Sequence, residues 1–299
     1  MTVSLNEVVK AAAAELRAAG IETPEHDAKL LMAEAAGDGV ELRDVDKALL
    51  MGDDIAYDAE RFDAMIGRRA RREPLQYIVG HAPFRYLDLE VGPGVFIPRP
   101  ETETVVQAGL DWITRHGMYH PRVVDLCAGS GAIGLAVASE VPGAEVWAVE
   151  LSPEAYAWTE RNHALVARAY PSVAGNYHLE RGDATSPLTL PQLDGTVDIV
   201  ITNPPYVPLD AVPEQPEVRD FDPDMALYGG SADGVLIPER IVLRAAGLLR
   251  SGGALVMEHD ISQGDRLVAF ARANGFAEAR TENDWTGRPR FLFAVKGKQ

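Results

Sequence analysis

The chain has 299 residues, 46% of them hydrophobic, enough for a globular protein with more than one core. Its 28 Lys and Arg stand against 45 Asp and Glu, and the net charge of −17 repels a phosphate backbone and suits a basic protein partner better. A single cysteine, Cys127, excludes an internal disulfide, and with seven histidines that show no ligand spacing it predicts no metal site.

The N-terminus lacks a basic start followed by an apolar stretch. The longest apolar runs, such as Ile133 to Ala138, are far too short to cross a bilayer, so no membrane role and a cytoplasmic location are expected. Ser4 and Glu7 form a capping box, after which Leu5, Val8, Val9, Ala12 and Leu16 recur at helical spacing until Gly20. Thr23 and Pro24 start a second helix, which carries Ala28, Leu31, Met32 and Ala35 and is stopped by Gly37. Two more helical patterns run to Arg72. Arg68, Arg69, Arg71 and Arg72 read as a solvated helix end whose cations complement the helix dipole. Residues 1–75 are therefore expected to form a small helical bundle.

From Tyr77 to Phe96 the period changes, with β-branched and aromatic residues broken by Gly80, Pro83, Gly92, Pro93 and Gly94. A β-hairpin linker is expected over 76–98, and the domain boundary is placed there. The stretch from Phe96 to Glu103 leads into a helix, with Glu101 and Glu103 near its N-terminus, where acidic residues cap.

Beyond it, the runs Val123 to Leu126, Val146 to Val149, Val197 to Ile201 and Leu255 to Met257 are separated by helix-length segments. That is the rhythm of an α/β domain, expected over 99–299, with a parallel sheet covered on both faces. Ala277 to Trp285 and Arg290 to Val295, joined through Gly287 and Pro289, suit a terminal hairpin.

The first strand runs into Cys127, Ala128, Gly129, Ser130, Gly131 and on to Gly134, the glycine spacing of a dinucleotide loop. Asp125 at that strand's end would repel a pyrophosphate and favours a cationic ligand, and S-adenosylmethionine carries an ammonium and a sulfonium. Glu150, about twenty residues after the glycines, ends the next strand, where an acid can accept both ribose hydroxyls of an adenosine. Asp183, after Gly182, reads two ways: as an acceptor for an adenine amino group or as a turn cap.

The strand Val197 to Ile201 leads into Asn203, Pro204, Pro205 and Tyr206 at a strand's carboxyl end. The prolines fix the backbone, so the Asn203 side-chain carbonyl and a backbone carbonyl can present a rigid pair of acceptors, with Tyr206 as a stacking surface. Such a pair suits a planar amide or amino nitrogen, whose lone pair is delocalised and whose nucleophilicity depends on alignment.

Together these motifs resemble the release-factor glutamine methyltransferases, the PrmC/HemK family. The similar stretches are Glu73 to Gly80, Phe96 to Glu103, Asp125 to Gly134, Asn203 to Tyr206, Asp220 to Gly230, and Glu258 with His259. The resemblance implies a Rossmann-like class I methyltransferase domain, a mostly parallel seven-stranded sheet with a C-terminal antiparallel hairpin. It implies methylation of the glutamine of the Gly-Gly-Gln motif in class 1 peptide chain release factors, with S-adenosyl-L-homocysteine as product. Cofactor binding would fall to Asp125, Cys127 to Gly131, Glu150, Asp183, Ala184 and Asn203. The grip on the glutamine would fall to Asn203, Pro204, Pro205 and Tyr206, with Phe96, Pro98, Arg99 and Glu101 closing over it and the bundle helping to hold the release factor. A monomer without direct nucleic-acid contact is expected.

Two positions depart from the family pattern. Cys127 stands where many relatives have glycine, so its backbone is expected to avoid a strictly positive φ. Ala184 stands where some place a large aromatic residue. Asn-Pro-Pro-Tyr also resembles adenine-specific DNA methyltransferases, against which the acidic balance and Phe96 to Glu103 argue. A non-catalytic adaptor and an NAD-dependent dehydrogenase are the remaining alternatives, disfavoured by Asn203 with Tyr206 and by Asp125 respectively.

Overall fold

The computed structural model describes residues 4–37 and 39–298. It contains two compact units, one running to His81 and taking in Pro213–Phe221, the other comprising Ala82–Val212 and Asp222 onward.

The first unit is helical: α1 (Leu5–Ala18), α2 (Pro24–Ala36), α3 (Leu42–Met51), α4 (Ala59–Ala70) and α5 (Leu75–Val79). The Ser4 hydroxyl accepts the Glu7 N–H while the Glu7 carboxylate accepts the Ser4 N–H, so the expected capping box starts α1. Leu16, Leu31, Met32, Val45, Phe62 and Ile66 fill the core between the helices. The stretch read as a linker differs from expectation at its start, because Leu75–Val79 is a helical turn, entered through Pro74 and ended by Gly80 at φ +87°.

Arg71 is exposed as a solvated helix end requires, but Arg69 and Arg72 are not part of one. Arg69 is 8% exposed and pairs with Asp27 and Glu217, each at 2.8 Å, while Arg72 reaches the same Glu217 at 2.6 Å. A buried guanidinium is tolerated only with such partners, and both are distant in sequence: Asp27 comes from α2 and Glu217 from Pro213–Phe221.

The second unit opens with β1 (His81–Phe84) and β2 (Leu87–Glu90), a two-stranded sheet. α6 (Thr102–Arg115), β3 (Arg122–Leu126), α7 (Ala132–Glu140), β4 (Glu145–Glu150), α8 (Pro153–Ala169), α9 (Val173–Asn176), β5 (Tyr177–Arg181) and β6 (Val197–Thr202) follow. After α10 (Pro216–Phe221), which lies in the helical unit, come α11 (Asp224–Leu227), α12 (Leu236–Leu248), β7 (Leu249–Glu258), α13 (Gly264–Ala273), β8 (Phe276–Asn283) and β9 (Pro289–Lys296).

The large sheet has the order β5-β4-β3-β6-β7-β9-β8, parallel from β5 to β7, with β9 antiparallel to both β7 and β8. This is the seven-stranded sheet with a C-terminal hairpin that the strand pattern and the resemblance predict. Val123, Ile199 and Ile201 enter the core on one face, and Val124, Val200 and Leu255 the core on the other, as the two-residue period requires. From β3 the chain steps outward to β4 and β5, then returns to lay β6 on the other edge of β3. That reversal leaves a crevice beyond the carboxyl ends of the strands, where open sheets of this kind bind ligands.

Candidate functional site

A cavity lies there. The loop after β3 contributes Cys127, Ala128, Gly129 and Ser130, the end of β4 contributes Glu150, and the turn after β5 contributes Asp183 and Ala184. Asn203, Pro205 and Tyr206 also line it, as do Phe96, Pro98, Arg99 and Thr102. Four expected residues are not on the wall: Asp125, Gly131, Glu101 and Pro204.

The loop is shaped by positive φ values, +59° at Gly129 and +86° at Gly131. A Cβ on Gly129 would meet nothing within 4 Å, so its bare backbone faces open space, whereas one on Gly131 would lie 2.9 Å from Leu135 Cδ1. Cys127 corrects the sequence expectation, because its φ is +74° and the left-handed conformation is kept with a side chain present. That conformation costs about 1–2 kcal/mol. It is held by the Cys127 and Ala128 N–H groups, which donate to the Val149 carbonyl at 3.1 and 2.9 Å.

Glu150 is 8% exposed and accepts from the Gly129 N–H at 2.8 Å and the Ser152 N–H at 2.7 Å. Each oxygen retains acceptor capacity for a hydroxyl. Burial raises its pKa, against the pull of those N–H donors. Asp183 is exposed and caps its own turn, accepting from the Thr185 N–H and hydroxyl at 2.8 Å each.

Asp125 is fully buried behind the loop, on the sheet face that packs against α7. One oxygen accepts the Gly134 N–H at 3.0 Å, and the other has no hydrogen-bond partner among the described residues. A Cβ on Gly134 would lie 3.2 Å from that carboxylate, so the glycine makes room for it. Burial pushes the carboxyl up to about 7, opposed by the Gly134 N–H and reinforced by the Glu150 charge.

The Asn203–Tyr206 turn rests on residues that the motif spacing does not point to. The Asn203 amide nitrogen donates to the Thr102 hydroxyl at 3.3 Å, Thr102 donates to Glu258 at 2.7 Å, and the Tyr206 hydroxyl donates to Glu258 at 2.9 Å. Glu258 is 1% exposed, and burial lifts its carboxyl to about 7 against both hydroxyl donors and Arg290. Burial, together with the Glu258 charge, raises the Tyr206 phenol well above its ordinary range, which keeps it protonated and a donor. The Tyr206 carbonyl accepts from Gln263 at 2.8 Å and passes so near Gly234 that a Cβ there would collide with it. Also on the cavity lining, Arg99 lies 4.8 Å over the Phe96 ring and pairs with the buried Asp222 at 2.5 Å. Burial raises Asp222 to about 6 despite that guanidinium.

The residues present fit S-adenosylmethionine. Bare backbone at Gly129 faces open space, Glu150 has acceptor capacity left over, and Asp125 keeps an unpartnered oxygen behind the loop that is complementary to a cation when the carboxyl is ionised. Among the described residues no group of His, Cys, Asp and Glu could hold a metal ion, and no helix is long and apolar enough to cross a membrane.

Family models described as "PrmC N-terminal domain" and "Conserved hypothetical protein 95" match residues 7–80 and 76–217. The chain is 71% identical over 293 residues to the release factor glutamine methyltransferase of Bifidobacterium longum, covering 97% of this chain and 99% of that one. It is 43% identical over 299 residues to the enzyme of that name from Streptomyces coelicolor, covering 99% of each chain. Against the one from Deinococcus radiodurans it is 36% identical over 292 residues, covering 97% of this chain and 98% of that one.

Proposed function

Since the chain belongs to the release factor glutamine methyltransferases, we propose that it transfers a methyl group from S-adenosylmethionine to the side-chain amide nitrogen of the glutamine in the Gly-Gly-Gln motif of class 1 release factors. The observation that carries this reading is the Asn203 side chain on the cavity wall. Its nitrogen is engaged by Thr102, which leaves its carbonyl oxygen as an acceptor for a substrate N–H.

When bound, S-adenosylmethionine supplies a methyl group made electrophilic by its sulfonium. Gly129, Ser130 and Glu150 would hold it, with Asp183 and Ala184 at the adenine end and Asp125 acting from behind the loop. Asn203 and a carbonyl of the rigid Pro204–Pro205 backbone take the two N–H groups of the glutamine amide. Held at both hydrogens, the nitrogen would be turned so that its lone pair faces the methyl group, and once methylated it would release one of its two protons to solvent, so alignment rather than a general base is the main source of acceleration. Tyr206 offers a flat face to the amide plane, while Phe96, Pro98 and Arg99 cover the site from the other side and exclude water. The cytoplasm, where translation ends, is the expected place of action, with the helical unit contributing to the hold on the release factor and the enzyme acting as a monomer.

The test is methyl transfer from labelled S-adenosylmethionine to unmethylated release factor, beside a Gly-Gly-Ala release factor, duplex DNA and an Asn203→Ala enzyme. Label on the wild-type release factor alone, lost with Asn203→Ala, is expected. Label on DNA, or on the Gly-Gly-Ala protein, overturns the reading.

A further inference from the structure

Glu258 ends β7 without reaching the cavity wall, yet both polar members of the Asn203–Tyr206 turn lean on it. A threonine hydroxyl has one proton to give and two lone pairs to receive with. The Thr102 proton goes to Glu258 at 2.7 Å, so toward Asn203 the same oxygen can only accept. Asn203 must then turn its NH2 inward and its carbonyl oxygen the other way. Without the carboxylate, the Thr102 proton is free to point at Asn203, and the amide can turn over and present a donor where a substrate N–H needs an acceptor.

We propose that Glu258 is a positioning residue for methyl transfer: one carboxylate oxygen, acting through Thr102, fixes which end of the Asn203 amide is offered to the substrate, and the other holds the Tyr206 ring. This rests on the glutamine methyltransferase reading above. The energetics point the same way. A carboxylate 1% exposed, satisfied by two neutral hydroxyls, carries a desolvation penalty that an apolar side chain would avoid. The nearby cation, Arg290, makes its ion pair with Asp284 at 3.2 Å. The charged and titratable groups facing the carboxylate are Arg290 from β9, Glu101 at the start of α6, and Tyr206.

The test uses the full chain with S-adenosylmethionine and unmethylated release factor, and compares wild type with Glu258→Gln, Thr102→Val, Thr102→Ser, Asn203→Ala and the Glu258→Gln/Asn203→Ala pair. Glutamine at 258 offers one acceptor and one donor in place of two acceptors, and valine at 102 removes the relay. Both are expected to lower kcat about 10- to 100-fold. The Kd for S-adenosylmethionine, read by calorimetry, should stay within about twofold, below what the loss of one net hydrogen bond produces. Thr102→Ser should restore most of the kcat lost in Thr102→Val. In the Asn203→Ala background Glu258→Gln should cost less than in wild type, because only the part of its effect that runs through Tyr206 remains. Unchanged kcat in Thr102→Val, or in a folded Glu258→Gln, overturns the proposal, as does full multiplicative loss in the double variant. If Glu258→Gln does not fold, the Thr102 pair alone decides. Transfer by wild type with unaffected variants removes the positioning role alone, whereas no transfer by wild type removes the activity reading and this role with it.

Discussion

The Glu150 carboxylate accepts the Gly129 N–H at 2.8 Å, so the residue that closes β4 also holds the glycine loop that leaves β3. Glu150→Gln keeps the shape but turns an NH2 toward one of its N–H partners and gives up a hydroxyl acceptor. A lost hydrogen bond to a charged group is worth about 1.5–3 kcal/mol, so the Kd for S-adenosylmethionine should rise at least about tenfold by calorimetry. An unchanged Kd would remove Glu150 from the cofactor site.

Tyr206→Phe keeps the ring and removes one of the two hydroxyls that stabilise ionised Glu258. In the wild-type enzyme the carboxyl titrates at about 7, and its ionised form is the one that accepts both hydroxyls. Activity should therefore rise with pH through that value. Losing a donor to the charged form raises the pKa, so the acid limb should move to higher pH in Tyr206→Phe and disappear in Glu258→Gln. A pH–rate profile checks this, and an unshifted limb in both variants counts against it.

Asp125 makes stability depend on pH. Its folded pKa of about 7 lies above the value near 3.9 for an unfolded Asp, so between about pH 4 and 7 the folded state keeps a proton that the unfolded state releases. The stabilisation is full below pH 4 and is lost as pH rises through 7, on the order of 4 kcal/mol at most. Asp125→Asn retains an acceptor for the Gly134 N–H and removes the charge. Thermal midpoints at pH 5 and pH 8 should differ less in this variant, although Glu258, Asp222 and Glu150, whose pKa values burial also raises, still contribute with the same sign. An equal drop would mean that Asp125 does not titrate there.

Cys127 separates backbone strain from packing. Cys127→Gly relieves a left-handed side-chain conformation but frees the unfolded chain, and the two effects, each about 1 kcal/mol, nearly cancel. Cys127→Val places a β-branched residue at φ +74° and should cost roughly 2 kcal/mol or more. Denaturant midpoints give both numbers, and a valine variant as stable as the glycine variant would show that the loop relaxes instead.

In the helical unit, Arg69→Met breaks a buried pair and should cost roughly 3 kcal/mol, since Asp27 and Glu217 lose their shared cation. Arg17→Met, at an exposed pair with Glu25, should change stability by less than about 0.5 kcal/mol. Similar losses at the two positions would contradict the burial argument.

The sequence carried what depends on local periodicity and spacing. The β3, β4 and β6 strands, the terminal hairpin, the glycine loop and the Asn203–Tyr206 turn are each visible within about ten residues of chain. What was not legible depends on partners brought from far away. Thr102 and Glu258 lie 156 residues apart, and Arg69 and Glu217 lie 148 apart. No spacing rule connects them, so the arginine cluster looked solvated and Glu258 stood out only through family resemblance. Asp125 was found for its charge, but its direction was not, because that depends on the room left by Gly134. Cys127 was misjudged because two hydrogen bonds to Val149 hold a conformation that residue preference alone disfavours.

The pairing of Glu217 with Arg69 and Arg72 also bears on modularity. The helical unit is discontinuous: its N-terminal portion is completed by nine residues, α10 among them, from more than a hundred positions downstream. A fragment ending at His81 would strip a buried guanidinium of one of its two carboxylates, so no single cleavage can release the unit intact. A chimera that exchanges the N-terminal portion between relatives must exchange Pro213–Phe221 with it. Substitutions in α4 and at position 217 are therefore expected to be accepted in pairs, as a key and its lock are changed together.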